Sequence, residues 1–480
     1  MNIAQIIALH GRYRPDDPAI EAGERVIGYG ELDLMVRRIV TRLKGTGVGQ
    51  GDLVGLWLRD TPEYLAAMLA IARIGATVLP MDWRWTPAEA ARIVARFPAR
   101  VLVMEEDLQA PEGPMPLSLA DLAAETPDQN PPASADRPFL YSLSSGTTGE
   151  PKAAVISHQA IVARSGYNII GVGIRQRDRG IIPVPLYSGL GRAPTLAHLA
   201  KGATVVLFPS IFEPQELVEF VARRRIDTIH LVPSMARALL RLPSPATGPL
   251  LVGLRRIVSG AAGLHADERI EIRARLCPDL LDTYACQGLG YVSTADNDDQ
   301  DAAPGSAGRP FMNVEVEIVG EDGRVLPAGE TGWIRGRSPG QATAIVGAIG
   351  GSDERIEDGW CYPGDLGRFD RAGYLHLQGR SSEIIKRGGT TIHAAEVERV
   401  LASHPDVIEA AVVGAPDPEL GETVVAFVVA SKPVEPRALI VHCRRQLAPH
   451  KVPRRIVLIE TLPRNPNGKV LKRELVQRLD

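Results

Sequence analysis

The stretch Tyr141-Ser-Leu-Ser-Ser-Gly-Thr-Thr-Gly-Glu-Pro-Lys152 decides the reading of this 480-residue chain. It lies between an apolar, strand-like run and the segment Ala153-Ala-Val-Ile-Ser-His158. Gly146 and Gly149 let the backbone turn its N–H groups toward an anion, Ser144, Ser145, Thr147 and Thr148 add hydroxyl donors, and Lys152 adds a charge. Together these residues define a polyphosphate cradle. It is not a Walker loop, because Lys152 follows Gly-Glu-Pro rather than a glycine and has no Ser or Thr behind it. Standing alone, the same composition would suit a flexible Ser/Gly linker.

Two distant segments change that balance. Leu462-Pro-Arg-Asn-Pro-Asn-Gly-Lys469 places a lysine directly after an Asn-Gly turn near the C-terminus. Between the two lies Gly359-Trp-Cys-Tyr-Pro-Gly-Asp-Leu-Gly-Arg-Phe-Asp-Arg-Ala-Gly-Tyr-Leu-His-Leu-Gln-Gly-Arg380. In this order and at these separations the three segments resemble the adenylate-forming superfamily, which includes acyl-CoA synthetases, free-standing adenylation enzymes and luciferases. The match is to the acyl- or aryl-CoA ligase branch and runs over almost the whole chain. It implies an α/β fold in two parts. Residues 1–379 would form a large domain of doubly wound sheets plus a small β-barrel that binds ATP and an acid. Residues 380–480 would form a smaller, mobile α+β domain carrying the catalytic lysine.

Composition agrees with that scale. A 51.7 kDa chain is too long for one small core. Hydrophobic residues at 45% and charged residues at 23% describe an ordinary globular protein, and a net charge of −3 gives no reason to expect nucleic acid. Cys277, Cys286, Cys361 and Cys443 are far apart without Cys-x-x-Cys spacing, which predicts a reduced, cytoplasmic protein without structural zinc. The start, Met1 to His10, has no basic leader and reads as a short amphipathic helix. Tyr64 to Pro80, the most apolar stretch, is broken by Arg73 and Gly75 and predicts a core helix running into a strand rather than a membrane span. From Arg380 onward there are 16 Lys or Arg against 12 Asp or Glu, so a small basic part, net +4, faces a large part at −7.

Strand-like and helix-like runs alternate through the middle of the chain. Ala203 to Phe208, Asp227 to Val232 and Leu254 to Ser259 read as strands, with helices over Pro214 to Arg225 and Ser234 to Leu242. This alternation predicts a parallel sheet with helices on both faces. Val314, Val316 and Ile318 then alternate with polar residues, and Glu321-Asp-Gly-Arg324 returns the chain, which predicts a hairpin of a small barrel. Beyond Arg380 the pattern predicts a helix at Ala394 to Leu401, strands at Ala410 to Val413 and Val424 to Val429, and a helix from Pro436 to Leu447. Thr126 to Asp136 reads as a surface linker.

The resemblance assigns roles residue by residue. Lys469 would reach into the large domain and touch both acid and phosphate as the catalytic residue. Ser144, Ser145, Gly146, Thr147, Thr148, Gly149 and Lys152 would hold the ATP phosphates, with Thr147 also near the metal. Asp365 would accept the ribose hydroxyls and Arg380 would contact ribose or phosphate, roles that suit a carboxylate acceptor and a guanidinium fork. Gly260, Ala261 and Ala262 in Ser259-Gly-Ala-Ala-Gly-Leu264 would lie under the adenine, with Tyr284 beside them. Tyr187, Ser188, Ala261 and Gly288 would line the acyl pocket. Ser382 would be the hinge, and Lys386, Arg387 and Gly389 would meet the pantetheine of the thiol acceptor.

Several positions depart from the family pattern. Gly263 stands in place of a proline, Ser188 in place of a histidine, and Pro363 in place of a threonine. The hinge position, usually Asp or Lys, is Ser382. The largest departure is Tyr284-Ala-Cys-Gln-Gly288, where the family has Tyr-Gly-x-Thr-Glu. Gln287 and Gly288 replace the phosphate-binding threonine and the magnesium-holding glutamate, which predicts weaker metal binding unless another acid substitutes. Asp296, Asp298 and Asp299 are candidates for that acid. Loss of side chains at Ser188 and Gly288 would enlarge the acid cavity.

The resulting expectation is ATP-dependent activation of a carboxylic acid to an acyl-adenylate, with pyrophosphate released, followed by transfer to CoA. Cofactors would be ATP, Mg2+ and CoA. Tyr187, Ser188 and Gly189 offer no carboxylate for a substrate amine, so an acyl or aryl acid is expected rather than an amino acid. The pantetheine arm of a separate carrier protein is the alternative acceptor. A binding protein that kept the nucleotide fold but lost turnover is the alternative of another class. Expected partners are small molecules or that carrier, with no nucleic acid and no membrane span, and with a homodimer left open.

Overall fold

The computed structural model describes the chain apart from residues 123, 135–136, 146–150, 210–211, 348–353, 389, 465–469 and 480, and apart from the side chains at 144, 145 and 391. Among the described residues the strands form four sheets.

The first sheet is nine-stranded, and its interior is parallel: Leu280–Cys286, Arg256–Ser259, Thr228–Leu231, Arg179–Ile181, Thr204–Leu207 and Pro18–Ala22 lie side by side in that order. Antiparallel strands close both edges, Gly290–Ala295 and Arg309–Pro310 at one and Arg25–Gly28 at the other. The alternation predicted between 203 and 259 is therefore present, with helices Pro214–Arg224 and Pro233–Leu240 between the strands. Interior strands such as Thr228–Leu231 are buried throughout, as parallel strands covered on both faces require.

The second sheet is seven-stranded. Met115–Ser118, Val101–Met104, Leu53–Trp57, Thr77–Pro80 and Pro138–Ser145 run parallel, and Pro151–Ser157 and Ala344–Val346 add antiparallel strands at the far edge. The two sheets share a helical layer, since the largest core cluster joins Ile3, Leu32, Val36, Leu65, Ile161 and Leu196 to strand residues of both. Helix Pro62–Ile74 is apolar all round and almost wholly buried, which marks it as core. Thr61 caps its start and Gly75, at φ +81°, ends it in the left-handed region before strand Thr77–Pro80. No described helix is long and apolar enough to cross a membrane.

The third sheet, of six antiparallel strands between Glu315 and Arg380, stands where the small barrel is expected. Its first two strands, Glu315–Val319 and Gly332–Arg337, form the predicted hairpin. The fourth sheet uses only strands from Ile384 to Leu458 and has its own apolar clusters around Val397, Val412, Val428 and Phe427. Helices Ala394–Ala402, Pro436–Arg444 and Lys472–Gln477 accompany it, so this C-terminal part is a separate domain.

Candidate active site

Parallel strands Arg256–Ser259 and Leu280–Cys286 end at the same edge of the first sheet, where open α/β sheets bind ligands. After Ser259 the chain enters Gly260-Ala261-Ala262. A Cβ on Gly260 would stand 2.7 Å from Thr283 Oγ1, so glycine alone fits there. Ala261 adopts φ +73°, a left-handed conformation that costs free energy for any residue with a Cβ and is found mainly where function requires it. Leu190 Cδ1 lies 3.7 Å from the same Gly260 position, which brings the start of helix Gly189–Lys201, and with it Tyr187 and Ser188, to this loop.

Tyr284 lies on the neighbouring strand at a bulge between Tyr284 and Ala285. Its hydroxyl donates to Asp365 Oδ2 at 2.6 Å, and Arg380 Nε donates to Asp365 Oδ1 at 2.9 Å. Asp365 and Arg380 sit directly opposite each other in the hairpin of strands Asp365–Phe369 and Leu375–Arg380, which is why the two are fifteen residues apart in sequence. Burial opposes the Arg380 charge, but Asp365, Tyr284, Glu354 and Glu383 outweigh it and push its pKa up. Burial, then the Asp365 charge, raises the Tyr284 pKa well above that of an ordinary phenol, so it remains a hydrogen-bond donor. Three of the predicted nucleotide residues are thus assembled into one charged, hydrogen-bonded unit.

The phosphate stretch is a β-hairpin. Strands Pro138–Ser145 and Pro151–Ser157 pair antiparallel with Ser144 opposite Lys152, and Lys152 is buried. Gly146, Thr147, Thr148 and Gly149, the metal role of Thr147, Gly389 and the catalytic Lys469 lie outside the described residues, as do the side chains of Ser144 and Ser145. Gln287 faces this hairpin: its Nε2 donates to the Leu143 carbonyl at 2.6 Å, while its Oε1 is buried without a hydrogen-bond partner among the described residues.

At Gly288 the structure differs from the expectation of an enlarged cavity. A Cβ there would lie 2.3 Å from Cys361 Sγ, so the volume of a side chain is already filled. Ser188 is buried and its hydroxyl accepts from the Gly191 N–H at 3.0 Å, capping the helix rather than leaving a gap. Tyr187 forms a wall with Trp85, their ring centroids 6.5 Å apart, and Arg84 Nη2 donates to the Tyr187 hydroxyl at 3.1 Å. Arg84 also pairs with both oxygens of buried Asp82, so that carboxylate is committed.

The three aspartates considered as metal ligands point elsewhere. Asp296 and Asp299 cap each other at helix Asn297–Ala302. That helix follows the far end of strand Gly290–Ala295, where Ala295 pairs with Asp282, roughly 20 Å from Gly288 at the usual rise of an extended strand. The carboxylate near Gly288 is instead Glu354, whose Oε1 lies 3.9 Å from the Cβ position of residue 288. Glu354 and Cys361 escaped the sequence reading. The signal was the Asp358-Gly359 turn, both residues at positive φ, which folds Arg355–Glu357 back along Trp360–Tyr362.

Ser382 is exposed in a short 3-10 turn, Ser381–Glu383, and the Ser381 N–H and hydroxyl both donate to the Gly364 carbonyl at 3.0 Å. Lys472 Nζ joins Glu383 at 2.5 Å to Glu398 at 2.7 Å, tying the last helix to the residue after the hinge. Lys386 is exposed, and Arg387 Nη1 donates to the His450 carbonyl at 2.5 Å. All four cysteines are free thiols.

Hard oxygen donors suit Mg2+, which keeps several waters and takes one or two carboxylates with substrate phosphates. The Glu354 carboxylate, 3.9 Å from the Cβ position of residue 288, and the amide oxygen of Gln287, the preceding residue, have that donor chemistry.

Residues 8–345 match the family model described as AMP-binding enzyme, and residues 396–469 match the AMP-binding enzyme C-terminal domain, the last matched residue being Lys469. The chain belongs to this family, in its branch of AMP-forming acid–CoA ligases. It is 33% identical over 513 aligned residues to the indoleacetate–CoA ligase of Aromatoleum aromaticum, covering 100% of this chain and 99% of the relative. It is 29% identical to the fatty acid–[acyl-carrier-protein] ligase ScoC of Streptomyces coeruleorubidus, over 99% and 96% of the two chains. The o-succinylbenzoate coenzyme A synthetase MenE of Bacillus subtilis, in complex with ATP and magnesium, superposes with a TM-score of 0.89 at 25% identity, over 98% of each chain.

Proposed function

We propose that this chain converts an aryl or acyl acid to its CoA thioester through an acyl-adenylate, with residues 380–480 turning about Ser382 between the two steps. The observation that carries this reading is the Tyr284–Asp365–Arg380 unit at the strand ends, beside Gly260–Ala262 and the phosphate hairpin. Asp365 would take the ribose diol, its two oxygens held in place by Tyr284 and Arg380. The strained Ala261 turn leaves a flat face for adenine. An acid bound against Tyr187 and Trp85 would place its carboxylate toward the α-phosphate.

In the first step a carboxylate oxygen forms the bond to the α-phosphorus and the bond to pyrophosphate breaks. Two anions must meet there, so Lys469 is the group proposed to neutralise them, with Arg380 and Lys152 contributing charge nearby. Magnesium, when bound with ATP, supplies further neutralisation of the phosphates. In the second step the CoA thiolate attacks the acyl carbon and the bond to AMP breaks. Lys386 and Arg387 are proposed to lie along the pantetheine arm. The neutral wall and the pairing of Asp82 with Arg84 favour a non-amino acid.

Pyrophosphate release with ATP, Mg2+ and a panel of aryl, fatty and branched acids tests the reading, with CoA or a carrier protein added in separate arms. Release confined to one acid class, thioester formed with CoA, and a loss of about a hundred- to a thousandfold in Lys469→Ala are expected. Thioester formed only on the carrier protein would transfer the acceptor assignment to the chemistry named for ScoC. Silence across the panel despite ATP binding would leave a binding protein.

A further inference from the structure

Gly288 occupies the position of the family's magnesium-holding glutamate, and the fold shows what stands in its place. Cys361 Sγ lies 2.3 Å from where a Cβ at 288 would be, so any side chain there would collide with it. The same point is 3.9 Å from Glu354 Oε1. Ordinary bond lengths put a glutamate's carboxylate oxygens roughly 3 to 3.6 Å from its own Cβ. Glu354 therefore brings a carboxylate, from another part of the chain, close to the radius at which a glutamate at 288 would carry its own.

Its position follows from the hairpin register. Glu357 pairs with Trp360, Ile356 with Cys361 and Arg355 with Tyr362, and Glu354 directly precedes this strand, one residue before the Arg355–Tyr362 pair. Glu354 is also near enough to Arg380 to help hold its charge. The Glu354 carboxylate thus lies close to Gly288 and within electrostatic reach of Arg380. Gln287, adjacent to Gly288 in sequence, adds a buried Oε1 that has no partner among the described residues.

We infer that Glu354 is this chain's magnesium carboxylate, with Gln287 Oε1 as a second oxygen for the metal or its water. The task of one glutamate is divided here: Cys361 fills the volume and Glu354 supplies the charge. The inference rests on the ATP-dependent ligase reading above, and the measurement keeps the two apart.

ATP and AMP are titrated into the full chain by calorimetry across a series of Mg2+ concentrations, for the native protein, Glu354→Gln and the triple variant Gly288→Glu/Cys361→Ala/Glu354→Gln. Mn2+ bound with ATP is read in parallel by electron paramagnetic resonance. Native ATP affinity should rise with Mg2+. Glu354→Gln should weaken the Mg2+-dependent part on the order of ten- to a hundredfold and release Mn2+, while AMP binding without metal falls far less, by the share of the Arg380 charge that Glu354 holds. The triple variant, with its glutamate back at 288 and room made for it, should recover metal dependence. If Glu354→Gln keeps the native Mg2+ dependence and Mn2+ signal, Glu354 is not the ligand, and the ligase reading survives provided AMP still binds. If neither ATP nor AMP binds the native chain, the ligase reading itself fails and the inference falls with it. Should the triple variant not fold, Glu354→Gln alone decides.

Discussion

Two corners of one site, separated by four residues on the chain from Tyr284 to Gly288, solve their problems in opposite ways. At the ribose corner the family residues are kept, and Tyr284, Asp365 and Arg380 lock together through bonds of 2.6 and 2.9 Å. At the phosphate corner the motif is rewritten, and Gln287, Gly288, Cys361 and Glu354 redistribute the work. The difference is one of connectivity. Asp365 and Arg380 are each other's direct neighbours across a hairpin, so replacing either strands a charge in a buried setting. The family's glutamate, whose place Gly288 takes, serves a ligand rather than a protein partner, so a carboxylate delivered from another part of the chain can take over its task.

Breaking the ribose corner should therefore have the largest effect on nucleotide binding. In Asp365→Asn the ribose loses a charged acceptor and Arg380 loses its partner. Hydrogen bonds to charged groups are worth about 1.5–3 kcal/mol, so AMP and ATP affinity should both fall about ten- to a hundredfold. Inorganic tripolyphosphate, which has no ribose, should bind as before. Calorimetry with AMP and tripolyphosphate separates this outcome from that of Glu354→Gln, where the main loss is in the Mg2+-dependent part of ATP binding. Equal weakening of both ligands in Asp365→Asn would mean that the two corners are not independent.

The packing half of the phosphate corner can be tested without ligand. Gly288→Ala pushes a methyl group against Cys361 Sγ, and overpacking of this kind costs about 1–3 kcal/mol. Melting should drop by a few degrees, roughly in proportion. Cys361→Ala removes the sulfur, and the Cys361 Cβ is 3.8 Å from the new methyl, an ordinary contact. The double variant should thus be more stable than the sum of its parts, and a thermodynamic cycle measures that coupling. Additive losses would show that Cys361 does not fill the position.

The same contrast explains what was legible in the sequence. The alternating strands and helices from 203 to 259 and the hairpin at 315–337 follow from local periodicity and turn residues, and both were readable. Asp365 and Arg380 were readable because a motif carries them. Gln287 and Gly288 are readable only as absences, and the sequence offers Asp296, Asp298 and Asp299 as substitutes. Strand direction rules them out, because Gly290–Ala295 carries those residues to the opposite end of the sheet. Glu354 is 66 residues beyond Gly288 and reaches it through the register across Asp358-Gly359, which depends on two positive φ values. Ser188 misled for a related reason: a small polar residue before Gly189 reads as missing bulk, whereas it is a helix cap.

The smallest effect is expected at the acid wall, where neither corner is touched and a buried charge has no strong partner. Asp60 accepts the Leu186 N–H at 3.0 Å, next to Tyr187. Burial is the main cause that lifts its pKa from 3.8 to about 6, with Asp82 adding to the rise while the Leu186 N–H and Arg84 oppose it. A carboxylate whose folded pKa is raised holds its proton more tightly when folded. Its contribution to stability is complete below the unfolded pKa of 3.8 and is lost as pH rises through about 6. Asp60→Asn keeps an oxygen for the Leu186 N–H and never ionises. Native protein and variant should have matching stability near pH 4, and the variant should gain about 1–3 kcal/mol above pH 7. Denaturant unfolding at the two pH values reads this directly, and a gain of the same size at both would assign the effect to packing instead of charge. Because Arg380 keeps Asp365 as a direct ion-pair partner while Asp60 has the Leu186 N–H and the more distant Arg84 charge but no direct ion pair among the described residues, removing charge should weaken the ribose corner and strengthen the wall.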